Sequence, residues 1–473
     1  MIKVRKRSSV RIFTVFLVCM VLAVTVFVQR IRAGNCETPY RDGEVIESAD
    51  EYVMGGIYDR GGKLLVCGDG CGDVAWADAD TERLFKKLAS TDIASSINSS
   101  YTICGNAPWL YGTEDDRLNA YGLKNPFTPR TGGSVRLTLD LELTQKIDDV
   151  VKEKGYEDAY VIVSNYRTGE LLAMYSDTGN PLKDRYHPGS TMKLIIAAAA
   201  LSQDPDLVKY KYNCSSENHV FKTVDGGSYM INCDGGELHG QVDMGDAIAY
   251  SCNGYFSSLA QRLDKVKLCK TLHEWGIDDS LSYSQLTYTD GSFLNGSDSS
   301  VDYIMAAIGQ ANCFITPFQM NLIVGALMNH GVLVEPRWFS AKQINLLDDS
   351  EWSDMTETQT TQICGSDVAD TVADMMLGVC EYGTGTRYYL SGFASKTGTA
   401  ETTDKDGELT GLNTIWTTGG LLDDNNPYSI TVCINNVNGV GSDAGMIATE
   451  ILSYMIEKND DKGLDVDLDV DKE

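Results

Sequence analysis

Positive charge is scarce in this chain: 39 lysines and arginines stand against 67 acidic residues, a formal net charge of −28 over 473 residues. Affinity for a phosphate backbone comes from basic faces that release counterions, so nucleic acid is excluded as a partner. Histidine is scarcer still, with five residues. Because the G-x-S-x-G elbow is also absent around the serine singled out below, a Ser-His-Asp hydrolase is disfavoured. Cys67 and Cys71 in VCGDGCGD have no second ligand pair at similar spacing, and no Cys-rich or His-rich cluster supplies one. No metal site and no cofactor are therefore expected.

What is present describes a globular protein of two or three domains, with 43% apolar and 9% aromatic residues. Lys3, Arg5, Lys6, Arg7 and Arg11 precede an uncharged run, Ile12 to Val28 (IFTVFLVCMVLAVTVFV), at the short end of membrane-spanning length. The QRIRAG that follows lacks a clear A-x-A cleavage signal, which favours an uncleaved signal anchor over a cleaved signal peptide. The basic cluster on its N-terminal side places residues 1–11 in the cytoplasm and the chain after 28 outside. Of thirteen cysteines, Cys19 lies in the anchor and twelve lie beyond it. Cys67 with Cys71, or Cys214 with Cys233, are plausible disulfide pairs. Cys252, Cys269, Cys313, Cys380 and Cys433 sit in apolar or helical contexts and read as small hydrophobes. The acidic end, 459–473, reads as a solvated tail, with calcium binding the weaker alternative.

Residues 35–134 are rich in Gly, Ser, Asn and Asp, and GGIYDRGGKLLVC reads as a hairpin with a glycine turn. A small irregular domain is expected there. At SVRLTLDLELTQKIDDVVKEKG a short alternating stretch runs into a helical pattern, and a second domain, 135–458, begins. AYVIVSNYRTGELLAMYS (159–176) reads as one hairpin; TIWTTGGLL (414–422) and YSITVCINNV (428–437) read as another. Between them lie helical patterns at 190–201, 242–263, 301–329 and 366–380, and AGMIATEILSYMIEK closes the domain. Strands at both ends with helices between predict an α+β fold: one antiparallel sheet, assembled from the two termini, with helices packed on it.

HPGSTMKL (187–194) opens onto IIAAAAL. Pro188 and Gly189 break the chain, so Ser190 is predicted at a helix N-terminus, with Lys193 on the same face one turn on. Ser190 is the only serine with a lysine three residues later. A helix cap followed by a snorkelling surface lysine is the ordinary explanation of Ser-x-x-Lys. It fits poorly where Leu194, Ile195, Ile196 and four alanines leave little polar face. A buried lysine has a lowered pKa, and a neutral amine beside a hydroxyl acts as its general base. Ser251 and Asn253 stand between two helical patterns and offer a hydroxyl and an amide; Ser-x-Asn recurs at Ser96 and Ser216, so alone it says little. In FASKTGTAETT (393–403), a predicted strand edge, Lys396, Thr397 and Thr399 offer a cation and two hydroxyls to a carboxylate. An ordinary exposed strand guarded by lysine is the alternative.

Together, Ser-x-x-Lys, Ser-x-Asn and Lys-Thr-Gly match in order the signature of penicillin-binding proteins and class A β-lactamases. GGIYDRGGKLLV, VRLTLDLELTQ, VIVSNYRTGELLAMYS, YHPGSTMKL, SCNGYF and GQANCFITPFQM resemble, in sequence, the landmarks of a class B penicillin-binding protein over roughly residues 50 to 455. The resemblance implies a five-stranded antiparallel sheet flanked by helices, with a small N-terminal pedestal domain and an N-terminal transmembrane helix. It implies a peptidoglycan D,D-transpeptidase in which Ser190 is acylated and Lys193 is its base. Ser251 relays a proton to the leaving D-alanine, Asn253 binds the donor amide, and Lys396 sets the electrostatics. Thr397, Gly398 and Thr399 hold the terminal carboxylate. Implied partners are stem peptides ending in D-Ala-D-Ala, β-lactams, the membrane and a membrane glycan polymerase.

A class A β-lactamase needs a glutamate some 35 to 40 residues after Ser-x-Asn, and none lies between Glu274 and Glu335. The Ser-Cys-Asn triplet departs from the class D pattern. A D,D-carboxypeptidase, which passes the acyl group to water, is the second enzymatic expectation. A β-lactam sensor would couple to a cytoplasmic output domain, and only about eleven residues lie on that side; an inactive scaffold would be expected to lose a motif residue. His187 reads as structural or substrate-facing.

Overall fold

A computed structural model describes Met20 and residues 56–68, 74–88, 134–216, 219–223, 226–278, 288–343, 352–403 and 409–470. Apart from Met20, the expected membrane segment lies outside these residues. Among the described residues no helix is long and apolar enough to cross a membrane. The Cys67–Cys71 pair also falls outside the described side chains.

The larger sheet is built from the two hairpins and one edge strand: β1 (Ala159–Asn165), β2 (Leu171–Ser176), β3 (Phe393–Thr403), β4 (Leu409–Leu421) and β5 (Tyr428–Val437). Their order is β3-β4-β5-β1-β2, antiparallel throughout, so the first hairpin closes against the last strand of the chain. β1 and β2 are buried on both faces, which requires helices on each side.

On one face α1 (Leu141–Glu153) packs against the C-terminal helix, which begins at Gly441. Asp140 caps α1 by accepting from the Leu143 N–H, and Leu143, Ile147, Val150 and Val151 enter a core with Ile447, Ala448, Ile451 and Leu452. On the other face lies a helical block. It comprises α2 (Met192–Gln203), α3 (Met244–Ala249), α4 (Asn253–Ala260), α5 (Pro317–Met328) and α6 (Ser366–Glu381), while the C-terminal helix on the first face is α7 (Gly441–Val470). Every residue of α5 is buried, and Met192 through Leu201 of α2 are buried without a break. Helices apolar all round belong inside a protein.

Two expected helical stretches are interrupted. The pattern at 242–263 divides at Ser251, whose φ of 58° ends α3 and redirects the chain into α4. The pattern at 301–329 divides into Ser300–Ala306 and α5. Gly309 (φ 78°) and Ala311 (φ 57°) between them adopt left-handed backbone. The Gly309 carbonyl accepts from the Gly189 N–H at 2.9 Å, so the break brings this loop against the turn carrying Ser190. At its C-terminal end α7 continues as backbone helix through most of the acidic stretch, to Val470.

A second, six-stranded sheet joins distant short strands in the order Ser353–Asp354, Phe339–Gln343, Ser134–Leu137, Ile57–Tyr58, Leu64–Gly68 and Val74–Trp76. The glycine-turn hairpin is present as Ile57–Tyr58 against Leu64–Gly68. Ile57, Leu65, Val135, Leu137, Trp338 and Phe339 form its core. Glu170, in the β1–β2 turn, accepts from both Arg60 (2.7 Å) and Arg337 (2.9 Å), tying the two sheets together.

Candidate active site

Ser190 lies in a 3₁₀ turn, Gly189–Thr191, that leads directly into α2. Gly189 has φ 53°, and a Cβ there would stand 2.8 Å from the Thr399 carbonyl oxygen. A Cβ on Gly398 would likewise meet the Pro188 carbonyl oxygen at 2.7 Å. Two glycines therefore let the serine turn lie against edge strand β3, closer than any side chain permits. The turn is further held by Trp416, whose indole N–H donates to the His187 carbonyl at 3.0 Å. His187 itself is packed: its Nδ1 lies 2.8 Å from the Cys313 carbonyl, its ring stacks on Phe314, and burial lowers its pKa. That is the structural alternative for this residue.

Lys193 has no exposed surface. Its Nζ lies 2.9 Å from Ser190 Oγ, 2.6 Å from Asn253 Oδ1, 2.7 Å from the Ser251 carbonyl and 3.1 Å from Ser251 Oγ. Four oxygens surround an amine that carries three protons when charged and two when neutral. In the neutral form two N–H groups serve Asn253 and the Ser251 carbonyl, and the lone pair is left to accept the Ser190 hydroxyl proton. Burial lowers the Lys193 pKa to about 8 against the partial opposition of nearby cysteine charge.

Ser251 holds a left-handed backbone that a non-glycine residue adopts at a cost of about 1–3 kcal/mol, a strain that clusters at functional sites. Asn253 opens α4, and its amide donates to the Asn232 carbonyl at 2.8 Å, which fixes Oδ1 toward Lys193. On β3, Lys396 is fully buried and donates to the Thr397 carbonyl at 2.9 Å; burial first, then the Lys193 charge, depresses its pKa well below normal. Thr397 Oγ1 is 2.7 Å from Thr384 Oγ1, and Thr399 Oγ1 accepts from the Gly441 N–H at 3.1 Å.

The structure thus gathers Ser190, Lys193, Ser251 and Asn253 into one set of hydrogen bonds, with Lys396 through Thr399 on the strand alongside. Sequence reasoning missed Thr384, which reaches Thr397 from the loop after α6, and gave Gly309, the first residue of GQANCFITPFQM, no role at the site. It also missed a side-chain cluster: Cys214, Cys233, His239 and Cys252 converge behind the Ser-x-Asn turn. Cys214 and Cys233, a plausible disulfide by sequence, are both free thiols 3.9 Å apart, and Cys252 is no isolated small hydrophobe.

The family model for the penicillin binding protein transpeptidase domain matches residues 159–457. The chain is 26% identical over 356 residues to stage V sporulation protein D of Bacillus subtilis, covering 69% of this chain and 53% of that one. It is 26% identical over 331 residues to the peptidoglycan D,D-transpeptidase PbpA of Mycolicibacterium smegmatis, covering 61% of this chain and 65% of that one. It therefore spans about half the length of the first relative and under two thirds of the second. Among solved structures it resembles penicillin-binding protein A from Mycobacterium tuberculosis, with TM-score 0.68 and 18% identity over 85% of this chain and 99% of that one. The imipenem acyl-enzyme complex of the same protein gives TM-score 0.69 at 18% identity, over 87% of this chain and all of that one. With the matched domain covering well over half of its residues, the chain belongs to the penicillin-binding protein transpeptidase family.

Proposed function

We propose that this protein is a peptidoglycan D,D-transpeptidase working through a serine acyl-enzyme. The observation that carries the reading is the 2.9 Å contact between Ser190 Oγ and a fully buried lysine amine. Neutral Lys193 takes the Ser190 proton as Oγ attacks the carbonyl of the penultimate D-alanine of a donor stem. The main-chain N–H groups of Ser190 and Thr399 flank the developing oxyanion, an arrangement worth about 3 kcal/mol per donor in acyl transfer. The proton passes from Lys193 through Ser251 Oγ, 3.1 Å away, to the departing D-alanine nitrogen as the C–N bond breaks. Asn253 receives the donor's amide, and Lys396, Thr397, Gly398 and Thr399 receive its terminal carboxylate. An amine of a neighbouring stem then displaces Ser190 and returns the hydroxyl.

Lys193 contacts hydroxyl, amide and carbonyl oxygens, the set that serine acylation requires, and a D,D-carboxypeptidase that passes the acyl group to water is the second reading. The same reading assigns residues 35–134 to a pedestal and 135–458 to the transpeptidase domain. It assigns 12–28 to a membrane anchor with residues 1–11 in the cytoplasm, and a membrane glycan polymerase as partner.

Fluorescent penicillin incubated with the purified chain and with Ser190→Ala tests the assignment. A persistent adduct on the native protein alone is expected. Turnover of the label within minutes would replace the transpeptidase reading by a hydrolase, and absence of label would leave a scaffold.

A further inference from the structure

Residues 205–242 form an insertion between α2 and α3 made of two separate two-stranded sheets, Tyr212–Cys214 with Gly240–Val242 and His219–Lys222 with Ser228–Ile231. Two-stranded ribbons are marginal on their own. The buried apolar side chains here are few, chiefly Phe221, Ile231 and Val242; Val220, Met230 and Leu238 face solvent. At the centre of the insertion, where a core would be expected, stand sulfur and imidazole.

The ligating atoms of Cys214, Cys233, His239 and Cys252 all lie within 4.8 Å of one another. Cys214 Sγ is 3.9 Å from Cys233 Sγ and 3.4 Å from His239 Nδ1, and Cys233 Sγ is 3.9 Å from Cys252 Sγ. Zinc–sulfur bonds of about 2.3 Å in a tetrahedron set sulfurs about 3.8 Å apart, and mixed sulfur–nitrogen edges slightly shorter. The surroundings match as well. The far nitrogen of His239 is buried without a hydrogen bond and lies 3.5 Å from Glu237, a carboxylate near enough to turn toward it once the other nitrogen is held by a metal. His219 Nε2 faces the sulfurs of Cys214 and Cys233 at 3.5 and 3.7 Å, while its Nδ1 pairs with the Tyr212 hydroxyl. The Tyr255 N–H donates to Cys252 Sγ at 3.4 Å.

We infer that Cys214, Cys233, His239 and Cys252 bind one zinc ion that staples the 205–242 insertion to the Ser-x-Asn turn. Three soft thiolates and one imidazole select zinc over magnesium or calcium. With four protein ligands the ion has no open position, so its role is structural. Binding exchanges three thiol protons for the metal and changes no oxidation state. Cys252 stands between Ser251 and Asn253, and those two residues supply three of the four oxygens around Lys193. A metal bond at Cys252 therefore anchors the strained Ser251 backbone and the Asn253 amide from behind. The coupling to catalysis rests on the proposed acyl-enzyme reading; the metal site does not.

The test takes the full-length chain purified without added metal or chelator and measures its elemental content and its thiols. About one zinc per chain is expected, retained by Cys269→Ser and lost from both Cys214→Ser and His239→Ala. Chelation should expose three further titratable thiols and slow penicillin acylation on the order of tenfold or more, both reversed by zinc. Cobalt in place of zinc should give the sulfur-to-metal absorption of a tetrahedral thiolate site, a readout on the native sequence that needs no variant. Zinc present without acylation would sink the enzymatic reading and leave the site standing. A chain that carries no zinc as purified yet acylates at a rate that added zinc does not raise, zinc retained by both ligand variants, or an intact mass showing Cys214 joined to Cys233 would overturn the site.

Discussion

Lys193 is the residue at which sequence and chemistry meet. A charged amine inside α2 costs several kcal/mol unless it is compensated, and burial answers by moving its pKa down to about 8. At pH 7 that leaves about a tenth of the amine neutral, against about one part in 3,000 for an ordinary lysine. Removing this base with Lys193→Ala should slow acylation by about 10²–10⁴-fold, read as the second-order rate constant for a β-lactam. Lys193→Arg should be no better, because a guanidinium stays protonated throughout the working range and has no lone pair to offer. The lysine was legible in the sequence because its surroundings were: eight apolar residues, Leu194 to Leu201, left little polar face. The oxygens that hold it were legible only as motifs, since Ser251 and Asn253 lie some sixty positions away and local pattern says nothing about their distance.

At the scale of elements, the site depends on how closely a turn can approach a strand. Gly189 and Gly398 remove the two Cβ atoms that would otherwise separate the Ser190 turn from β3. Gly398→Ala should shift one against the other by up to an ångström and cost about 10²-fold in acylation while leaving the fold intact. A thermal midpoint within a few degrees of native, measured on the same sample, separates misplacement from unfolding. Behind the sheet, α5 begins with a reciprocal cap in which Thr316 Oγ1 accepts from the Gln319 N–H and Gln319 Oε1 accepts from the Thr316 N–H. Thr316→Ala should destabilise the chain by about 1 kcal/mol in denaturant titration with little effect on acylation. Strand-like runs joined by turn residues exposed both hairpins, β-branched, small and glycine composition exposed the edge strand, and an apolar run of helical length after Pro188 and Gly189 exposed α2. The division at 307–316 stayed hidden because its residues are as apolar as a helix. What breaks it is the tertiary contact of Gly309 with Gly189, which a local pattern does not encode.

Across the whole molecule, the two sheets are joined through buried charge. Asp148, fully buried on α1, accepts from Arg83 (2.6 Å), Lys87 (2.7 Å) and Lys152 (2.7 Å), so the helix Ala79–Leu88 is bonded to α1 and through it to the larger sheet. Burial pushes this carboxyl's pKa up, but the three cationic donors outweigh it and hold the value far below normal. A folded-state pKa below the unfolded one contributes stability that is complete above about pH 4 and fades as the pH falls below it. Asp148→Asn should remove on the order of 2 kcal/mol at pH 7, discounted because the cationic partners reach solvent, and the difference from native should shrink under acid. The six-stranded sheet was largely illegible in the sequence: strands of two to five residues drawn from three distant regions carry too little pattern to read. The Cys-His cluster was hidden for a related reason. Its members are spread from 214 to 252 with no repeated short spacing, and the fold alone brings them together.

The central claim is that a neutral Lys193 activates Ser190, and the pH dependence of β-lactam acylation tests it most directly. The second-order rate constant should climb with pH through an apparent pKa near 8, and in Lys193→Ala that limb should vanish together with most of the rate. A flat profile between pH 6 and 9, or a Lys193→Ala variant that acylates within a few-fold of native, would contradict the account.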